Sequence, residues 1–400
     1  MSTPLKLDAG AAVPAGREIA PLPLTLYVHF PWCVRKCPYC DFNSHALRGE
    51  VPEDSYVEAL IRDLDFELAD PAFRQAPLAA IFFGGGTPSL FSGRAIGRLL
   101  EAIHARCAIA PDLEITLEAN PGTADARNFR AYRAAGVNRL SLGAQSFDAN
   151  QLARLGRIHG PQEIPAAVAA ARAAGFENLN LDLMYALPEQ TPEQAAADLR
   201  AALDLAPEHL SYYQLTLEPN TVFAARPPPL PDEDSVWIMH QQGLALLAAR
   251  GYAQYEVSAH ARAGRQSRHN RNYWEFGDYL GIGAGAHAKR TRWPSPGIVR
   301  RARHKHPRTY VEHAGSAGAI QEERSVAVSE RPFEYAMNAL RLNEGFVRAD
   351  FAARTGLAPA VLEAPLARAR RRGLIEDDGR RIRATALGRA HLNALLREFL

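Results

Sequence analysis

The chain has 400 residues, enough for about two to three domains of roughly 150 residues each. Its 47% hydrophobic and 22% charged residues are typical of a folded globular protein and exclude disorder as the main state. The 46 Lys and Arg residues and the 44 Asp and Glu residues give a formal net charge of +2. This small charge argues against electrostatic binding of nucleic acid or an anionic membrane by the chain as a whole. No stretch approaches the roughly 18 apolar residues of a membrane span and no secretory pattern opens the chain, so we expect a cytoplasmic protein.

After a Pro- and Ala-rich lead-in at 1–22, expected to be flexible, apolar runs alternate with helical stretches up to about residue 230. The helical stretches fall at about 53–69, 92–107, 123–135, 161–174 and 191–206. The apolar runs predict six buried strands at Leu24–Phe30, Leu78–Phe83, Leu113–Leu117, Arg139–Leu142, Leu179–Met184 and Leu210–Thr216. This repeat predicts parallel strands joined by crossover helices, in an α/β fold best described as a partial (β/α)6 barrel over 23–230.

The second part of the chain follows a Pro-rich break at 226–231. A helix at about 232–250 opens an α+β extension that we expect to run over 231–330. Residues 331–400 carry helical periodicity and then a hairpin signal around Asp378-Gly379, which resembles a winged-helix-like domain. We interpret the arginines of this domain as a solvated helix face, so no nucleic acid partner is expected.

The chemically notable residues follow the predicted strands, where barrel enzymes gather their chemistry. Three cysteines come after the first strand, and Gly84-Gly85-Gly86-Thr87-Pro88 comes after the second. Glu118 follows the third strand, Gln145 follows the fourth, and Asp182 lies within the fifth. The carboxyl ends of these strands therefore predict one shared site.

The sharpest motif is Cys33-x-x-x-Cys37-x-x-Cys40, whose thiolates are close enough to converge on one centre. A structural zinc and a fully ligated [4Fe–4S] cluster each usually take four protein ligands, so three thiolates are one ligand too few for either. The fourth position is therefore open, or is filled by His29 or His45. A Cys3His zinc and a cluster with one open iron both remain possible at this point. Cys107 is interpreted as a small buried residue and not a ligand.

Three features together resemble the radical S-adenosylmethionine (SAM) superfamily, and within it the oxygen-independent coproporphyrinogen oxidase branch: the Tyr27–Cys33 segment, the cysteine spacing and the glycine run at 84–88. The resemblance implies a partial barrel and a [4Fe–4S] cluster held by Cys33, Cys37 and Cys40, with SAM chelating the fourth iron. It also implies SAM contacts at Tyr27, Gly85, Gly86, Thr87, Glu118, Gln145, Arg157 and Asp182.

Two features depart from the oxidase pattern and are similar to the HemW subgroup of haem chaperones. Phe42 stands where the oxidases carry a further cysteine, and His269–Trp274 matches the H-N-x-x-Y-W motif implicated in haem binding. The His269 imidazole is a suitable axial ligand for haem iron, and Tyr273 and Trp274 offer flat faces to a porphyrin.

A basic run downstream carries the arginines and the lysine that could meet haem propionates: Arg300, Arg301, Arg303, Lys305 and Arg308. An exposed loop explains the same run, and the sequence favours that alternative.

Three functions are open on these grounds. The first is a haem chaperone that passes haem to an unidentified acceptor protein. The second is a radical SAM enzyme acting on a porphyrinogen, which requires an electron donor for SAM cleavage. The third is a zinc-stabilised binding module. Phe42 and the His269–Trp274 motif favour the first over the second, and the glycine run with the strand-end set argues against the third.

Overall fold

The computed structural model describes residues 22–400 apart from 71–72, 74–75, 123–126 and 293–296. The lead-in expected at 1–22, its last residue aside, and the first residues of the helix expected at 123–135 thus lie outside the described residues. The strands are β1 Leu24–Phe30, β2 Trp32–Cys33, β3 His45–Ala46, β4 Leu78–Gly85, β5 Ile109–Ala119, β6 Arg139–Gln145, β7 Leu179–Tyr185, β8 His209–Gln214, β9 Ala253–Gln254, β10 Ala259–Ala261, β11 Asp278–Ile282, β12 His287–Arg292, β13 Gly297–Arg303, β14 Ile320–Val326, β15 Phe346–Val347, β16 Ile375–Asp377 and β17 Arg381–Ala384.

The α-helices are α1 Glu53–Leu68, α2 Gly93–His104, α3 Phe129–Ala135, α4 Ala149–Arg154, α5 Glu163–Ala173, α6 Pro192–Asp204, α7 Val222–Ala225, α8 Glu233–Ala249, α9 Arg268–Trp274, α10 Pro307–His313, α11 Arg331–Ala339, α12 Arg348–Thr355, α13 Glu363–Arg371, α14 Ala386–Ala390 and α15 Leu392–Leu396. Five of the α-helices, α1, α2, α5, α6 and α8, begin and end close to stretches predicted from the sequence, and the stretch predicted at 123–135 is helical from Phe129. None of the α-helices, within the part of the chain that the structure describes, is long and apolar enough to cross a membrane.

Twelve of the described strands form one open sheet in the order β14-β13-β12-β11-β1-β4-β5-β6-β7-β8-β10-β9. The six strands predicted from the sequence, β1 and β4 to β8, are neighbours in chain order and run parallel. Parallel strands need a crossover connection, and helices supply it between most of these strands. The predicted α/β fold with a partial barrel of parallel strands is therefore confirmed.

The segment 231–330 joins the same sheet at both of its edges. Strands β9 and β10 extend it beyond β8, and β11 to β14 extend it beyond β1. β11 pairs with β1 in parallel, with Leu280 opposite Leu26. The sequence pattern did not predict this seventh parallel strand.

The described residues form two large hydrophobic cores and two small clusters. The larger core packs the parallel sheet against its helices and includes the fully buried Leu26 and Ile81. The second core holds residues of the C-terminal region such as Phe351 and Leu366. There the small sheet β15-β17-β16 lies against helices α11 to α13, as expected for a winged-helix-like domain.

Three members of the basic run at 300–308 lie in strand β13, so the interpretation as an exposed loop is wrong for Arg300, Arg301 and Arg303. The Arg303 side chain is 1% exposed and its Nη2 is 2.7 Å from Asp63 Oδ1. Arg300 pairs with Glu334, and Arg301 pairs with Glu67 and with Glu323. Carboxylates neutralise these three arginines. Lys305 and Arg308 are the exposed members of the run, and Arg308 pairs with Glu312 on the surface.

Candidate functional site

A cavity of about 330 Å³ opens at the carboxyl ends of the parallel strands. Parallel strands place their carboxyl ends at one edge of a sheet, so residues far apart in sequence meet there. The following residues, all singled out from the sequence, line it: Cys33, Cys37, Cys40, Gly85, Gly86, Thr87, Glu118, Gln145, Arg157 and Asp182. Tyr27 does not line the cavity, and neither do His269, Tyr273 or Trp274.

The three cysteines lie on the loop that leaves β1, and all three are half-buried free thiols. Strand β2, which carries Cys33, pairs in parallel with β3, and the Cys40 amide donates to the Cys37 carbonyl oxygen at 3.2 Å. Burial raises the pKa of the Cys33 and Cys40 thiols. A cationic centre among them reverses that preference, because a coordinating thiol is deprotonated by its metal.

Neither histidine considered as a fourth ligand faces the thiols. His29 Nε2 is 2.8 Å from the Asn43 carbonyl oxygen and its Nδ1 is 2.9 Å from the Tyr27 hydroxyl, so both ring nitrogens are engaged. His45 lines a separate groove, and its Nε2 is 3.2 Å from the Lys305 carbonyl oxygen. Neither imidazole is therefore placed as a fourth ligand, and among the described residues no three Cys, His, Asp or Glu side chains are grouped so that they could hold a single metal ion. Both observations argue against a Cys3His zinc.

Residues much later in the chain form hydrogen bonds with the cysteine loop. The Asn43 side-chain nitrogen donates to the carbonyl oxygens of Ala284 and Lys305, at 2.9 and 2.8 Å. Asn43 therefore connects the loop to the end of β11 and to the segment that follows β13.

The glycine run packs directly against the start of the cysteine loop. The amide of Gly86 donates to the Phe30 carbonyl oxygen and the amide of Thr87 donates to the Trp32 carbonyl oxygen, both at 2.7 Å. A Cβ on Gly86 would lie 2.5 Å from the Trp32 oxygen and 2.8 Å from the Phe30 oxygen. The absence of a side chain at Gly86 is what lets these two segments of the cavity wall lie together.

We expect Gly86→Ala to weaken SAM binding and to cost roughly 1–3 kcal/mol of stability, because backbone atoms would have to move to admit the methyl group. Urea denaturation and anaerobic equilibrium dialysis with SAM measure the two effects. Gly97→Ala is the control: its Cβ would lie 3.6 Å from the Ala135 Cβ, an ordinary contact on helix α2. Equal SAM affinity in the two variants would contradict the prediction.

Two carboxyl groups line the inner part of the cavity. Glu118 Oε2 accepts a hydrogen bond from the Gly85 amide at 3.1 Å. The pKa of Glu118 is raised to about 8, mainly by burial and secondly by the negative charge of the nearby Asp182. Asp182 accepts from the Ser141 hydroxyl at 3.1 Å and from Asn180 at 2.8 Å, and burial raises its pKa as well. Buried acids of this kind favour a ligand that brings a positive charge or hydroxyl donors.

The raised pKa of Glu118 predicts a pH dependence of stability. The folded chain holds this proton up to about pH 8, whereas the ordinary pKa of the group is 4.5, so the folded state binds more protons between these values. Stability contributed by this group is therefore lost as the pH rises through that window. Glu118→Gln should flatten the decline in urea midpoint between about pH 5 and about pH 8, and the exposed Glu101→Gln should not. Parallel curves for the two variants would count against the prediction.

Arg157 and Gln145 complete the wall through partners that the sequence analysis did not single out. Arg157 Nη2 donates to Asn120 Oδ1 at 2.5 Å and to the Gly143 carbonyl oxygen at 2.9 Å, and its Nη1 is 3.8 Å from Cys37 Sγ. Gln145 has a φ of 66°, and its Oε1 accepts from the Tyr213 hydroxyl at 2.8 Å. A positive φ at a non-glycine residue is costly and is found often at functional sites.

Sequence reasoning assigned no role to several residues of the cavity wall, among them Asn120, Ser211 and Tyr213. The signal was available, because Asn120 follows Glu118 by two residues and Tyr213 lies near the end of the sixth predicted strand. Alternate residues of a strand share a face, so both positions were candidates for the wall.

The H-N-x-x-Y-W segment forms helix α9 at the amino ends of the strands, on the far side from the cavity mouth. The Asn272 side chain donates to Thr25 Oγ1 at 3.1 Å, and the Arg268 amide donates to Glu114 Oε1 at 3.0 Å. His269 is 2% exposed and stacks on Phe82, with ring centroids 4.9 Å apart.

Burial lowers the pKa of His269 to about 3, so its imidazole is neutral. Tyr273 packs edge-on against it, and the Arg341 guanidinium lies 4.3 Å from the centre of the Trp274 ring. A haem could reach the His269 imidazole only after this aromatic stack opened.

Comparison with known proteins shows which families this chain is similar to. Residues 27–202 match the family model of the radical SAM superfamily, and residues 327–391 match that of the HemN C-terminal domain. The chain is 50% identical over 378 residues to the "Heme chaperone HemW" of Escherichia coli (strain K12), covering 94% of this chain and 98% of that protein. It is 35% identical over 393 residues to the protein of the same name from Mycobacterium tuberculosis (strain ATCC 25618 / H37Rv), covering 96% and 97%.

Among solved structures, the coproporphyrinogen III oxidase HemN of Escherichia coli aligns with a TM-score of 0.78 at 26% sequence identity. The alignment covers 95% of this chain and 91% of that one, so the likeness includes the C-terminal domain.

Proposed function

The chain belongs to the HemW family of the radical SAM superfamily, and from this premise we propose that it is a haem chaperone. It binds haem and passes it to acceptor proteins, on a scaffold that holds a [4Fe–4S] cluster and SAM. The observation that carries the proposal is 50% identity, over almost the full length of both chains, to a protein named as a haem chaperone. We further propose that it acts in the cytoplasm, where thiols stay reduced and available for a cluster.

The residues present fit both cofactors. Cys33, Cys37 and Cys40 would hold the cluster, since all three line one cavity and neither His29 nor His45 lies among the residues that line it. When bound, the cluster supplies one-electron chemistry and an open iron for SAM. Glu118 and Asp182 would accept hydrogen bonds from SAM, and Arg157 would pair with its carboxylate.

Absorption and metal analysis of an anaerobic preparation, followed by haem titration, test the proposal. We expect a brown protein with about four irons per chain, stoichiometric uptake of haem, and transfer of that haem to an apo-haem protein such as apomyoglobin. A colourless preparation that contains one zinc ion per chain, or one that takes up no haem, would overturn it.

The alternative function is a porphyrinogen oxidase, which the full-length likeness to HemN favours. Phe42, at the position where the oxidases carry a further cysteine, argues against it. Supplying SAM, an electron donor and coproporphyrinogen separates the two functions, since formation of 5′-deoxyadenosine together with decarboxylated product would establish the oxidase.

The variant His269→Ala tests whether the His269–Trp274 motif binds haem. Loss of haem with an unchanged thermal midpoint would place the imidazole in the haem site. Retention of haem would give His269 the structural role that its stack on Phe82 suggests.

A further inference from the structure

A second cavity, of about 480 Å³, lies beside the carboxyl ends of β7 and β8 and apart from the cysteine-lined cavity. Its walls come from three parts of the chain: the strand ends with Tyr185 and Leu215, helix α8 with Trp237 and His240, and helix α14 of the C-terminal domain with Arg389. Its volume falls within the roughly 300–1,000 Å³ of small-molecule sites. Neither the sequence motifs nor the proposed SAM site uses any of these residues.

The chemistry of this cavity centres on one imidazole. His240 Nδ1 is 3.1 Å from the Tyr185 hydroxyl. In the tautomer whose Nδ1–H donates to that hydroxyl, Nε2 keeps its lone pair, and the hydrogen bond fixes the ring as it does for most metal-ligating histidines. Burial lowers the pKa of His240, which favours the neutral form that ligation requires.

Flat aromatic faces surround the imidazole. Trp237 precedes His240 by three residues on the same face of α8, with ring centroids 6.2 Å apart, and Tyr185 lies 6.0 Å away on the sheet side. Trp237 is 55% exposed, and it lines the cavity together with Leu230, which is 39% exposed.

The position of α8 is fixed by close packing on the sheet. A Cβ on Gly243 would lie 2.3 Å from a ring carbon of Tyr212, so only glycine lets the helix approach this closely. Tyr212 in turn stacks on Tyr185, with ring centroids 4.7 Å apart. The imidazole and its tyrosine partner therefore sit on rigid elements.

The Arg389 guanidinium lies at the rim of this second cavity. Arg389 Nη1 donates to the Ala384 carbonyl oxygen at 2.9 Å, and among the described residues no carboxylate lies within ion-pair distance of it. Glu233, in the first turn of α8, also lines the rim. An anionic group on a ligand would therefore be directed towards Arg389 and away from Glu233.

We propose that this cavity is the docking site of the cargo haem, with His240 Nε2 as an axial ligand to the iron, Tyr185 holding the imidazole through Nδ1, Trp237 against the macrocycle and Arg389 beside a propionate. The inference rests on the proposed function and names the site at which it is carried out. It differs from the His269 motif, whose imidazole is closed off from solvent. The exposed Trp237 face leaves one side of the haem within reach of an acceptor, as a carrier requires.

Titration of the full-length chain with ferric haemin, followed by absorption and electron paramagnetic resonance, tests the site. We expect His240→Ala to weaken binding at least about tenfold and to remove the imidazole-ligation spectrum, with partial recovery on addition of free imidazole. His104→Ala, which changes an exposed histidine on α2, should leave both unchanged. Arg389→Gln should weaken binding of haemin but not of its dimethyl ester, because only the free acid carries propionate charge.

The outcomes separate the site from the function. If the unmodified chain takes up no haemin, the proposed function itself fails. If it takes up haemin and His240→Ala keeps the same affinity and spectrum, the site is wrong while the function stands. The site is also wrong if His240→Ala binds normally and binding is lost in His45→Ala with His306→Ala, two histidines that line a separate open groove of about 990 Å³. The thermal midpoint of each variant identifies a loss caused by misfolding, and the dimethyl ester comparison then decides the site.

Discussion

We expect Cys37→Ser to lower the amount of iron that the protein binds. Removing one of three thiolates leaves two ligands for a cluster that already has an open corner, and loss of even an outer-shell partner typically costs 10–100-fold in metal affinity. We therefore expect the iron and sulfide content after anaerobic reconstitution to fall at least about tenfold. The measurement is iron and sulfide per chain, together with the broad absorption that thiolate-ligated iron gives.

The matched control is Cys107→Ser. Cys107 follows helix α2, packs against the larger core and lies outside the cavity, so its replacement should leave the iron content unchanged. Equal iron in the Cys37 and Cys107 variants would remove Cys37 from the ligand set. Equal loss in both would point to a general effect of misfolding, which the urea midpoint of each apo-protein would reveal.

Arg303→Met is expected to destabilise the fold by about 3–5 kcal/mol. Arg303 is buried between Asp63 and Glu67 of α1, and the Tyr310 hydroxyl donates to the same Asp63 carboxylate at 2.8 Å. Removing the guanidinium leaves the buried Asp63 carboxylate without a counter-charge and takes from Glu67 one of its two arginine partners, the other being Arg301. The free energy of unfolding in urea measures the effect.

The deficit should also depend on pH. Burial raises the pKa of Asp63 even with Arg303 present, so the folded variant binds a proton more readily than the unfolded chain. The stability lost in the variant is therefore partly recovered as the pH falls and is greatest at neutral and alkaline pH. Arg308→Met, which removes an 84% exposed side chain paired with Glu312, should cost less than about 0.5 kcal/mol at any pH. Similar losses in the two variants would refute the importance of the buried triad.

The sequence was sufficient for the parallel strands and for most of the cavity wall. Runs such as Leu24–Phe30 are apolar almost throughout, which is typical of strands buried on both faces. Once six such strands alternate with helices, the positions of Glu118 and Asp182 follow from the rule that their carboxyl ends share an edge.

The remainder depended on partners that no local pattern reveals. Arg303 looks like part of an exposed basic run until Asp63, 240 positions earlier in the chain, is seen beside it. The histidine and aromatic residues of α9 suggest a ligand site, but a helix of 7 residues is too short for its periodicity to tell which face is covered. Strand β11 was missed because only five residues mark it and its partner β1 lies at the other end of the domain.

The bonds from Asn43 to Ala284 and Lys305 span 241 and 262 positions along the chain. At a translation rate of roughly 5–20 residues per second, those two carbonyl groups leave the ribosome on the order of ten to fifty seconds after Asn43. During that interval the cysteine loop lacks the two hydrogen bonds that Asn43 makes to Ala284 and Lys305. The outer hydrogen bonds of the cysteine loop therefore form only after the later half of the chain has been synthesised.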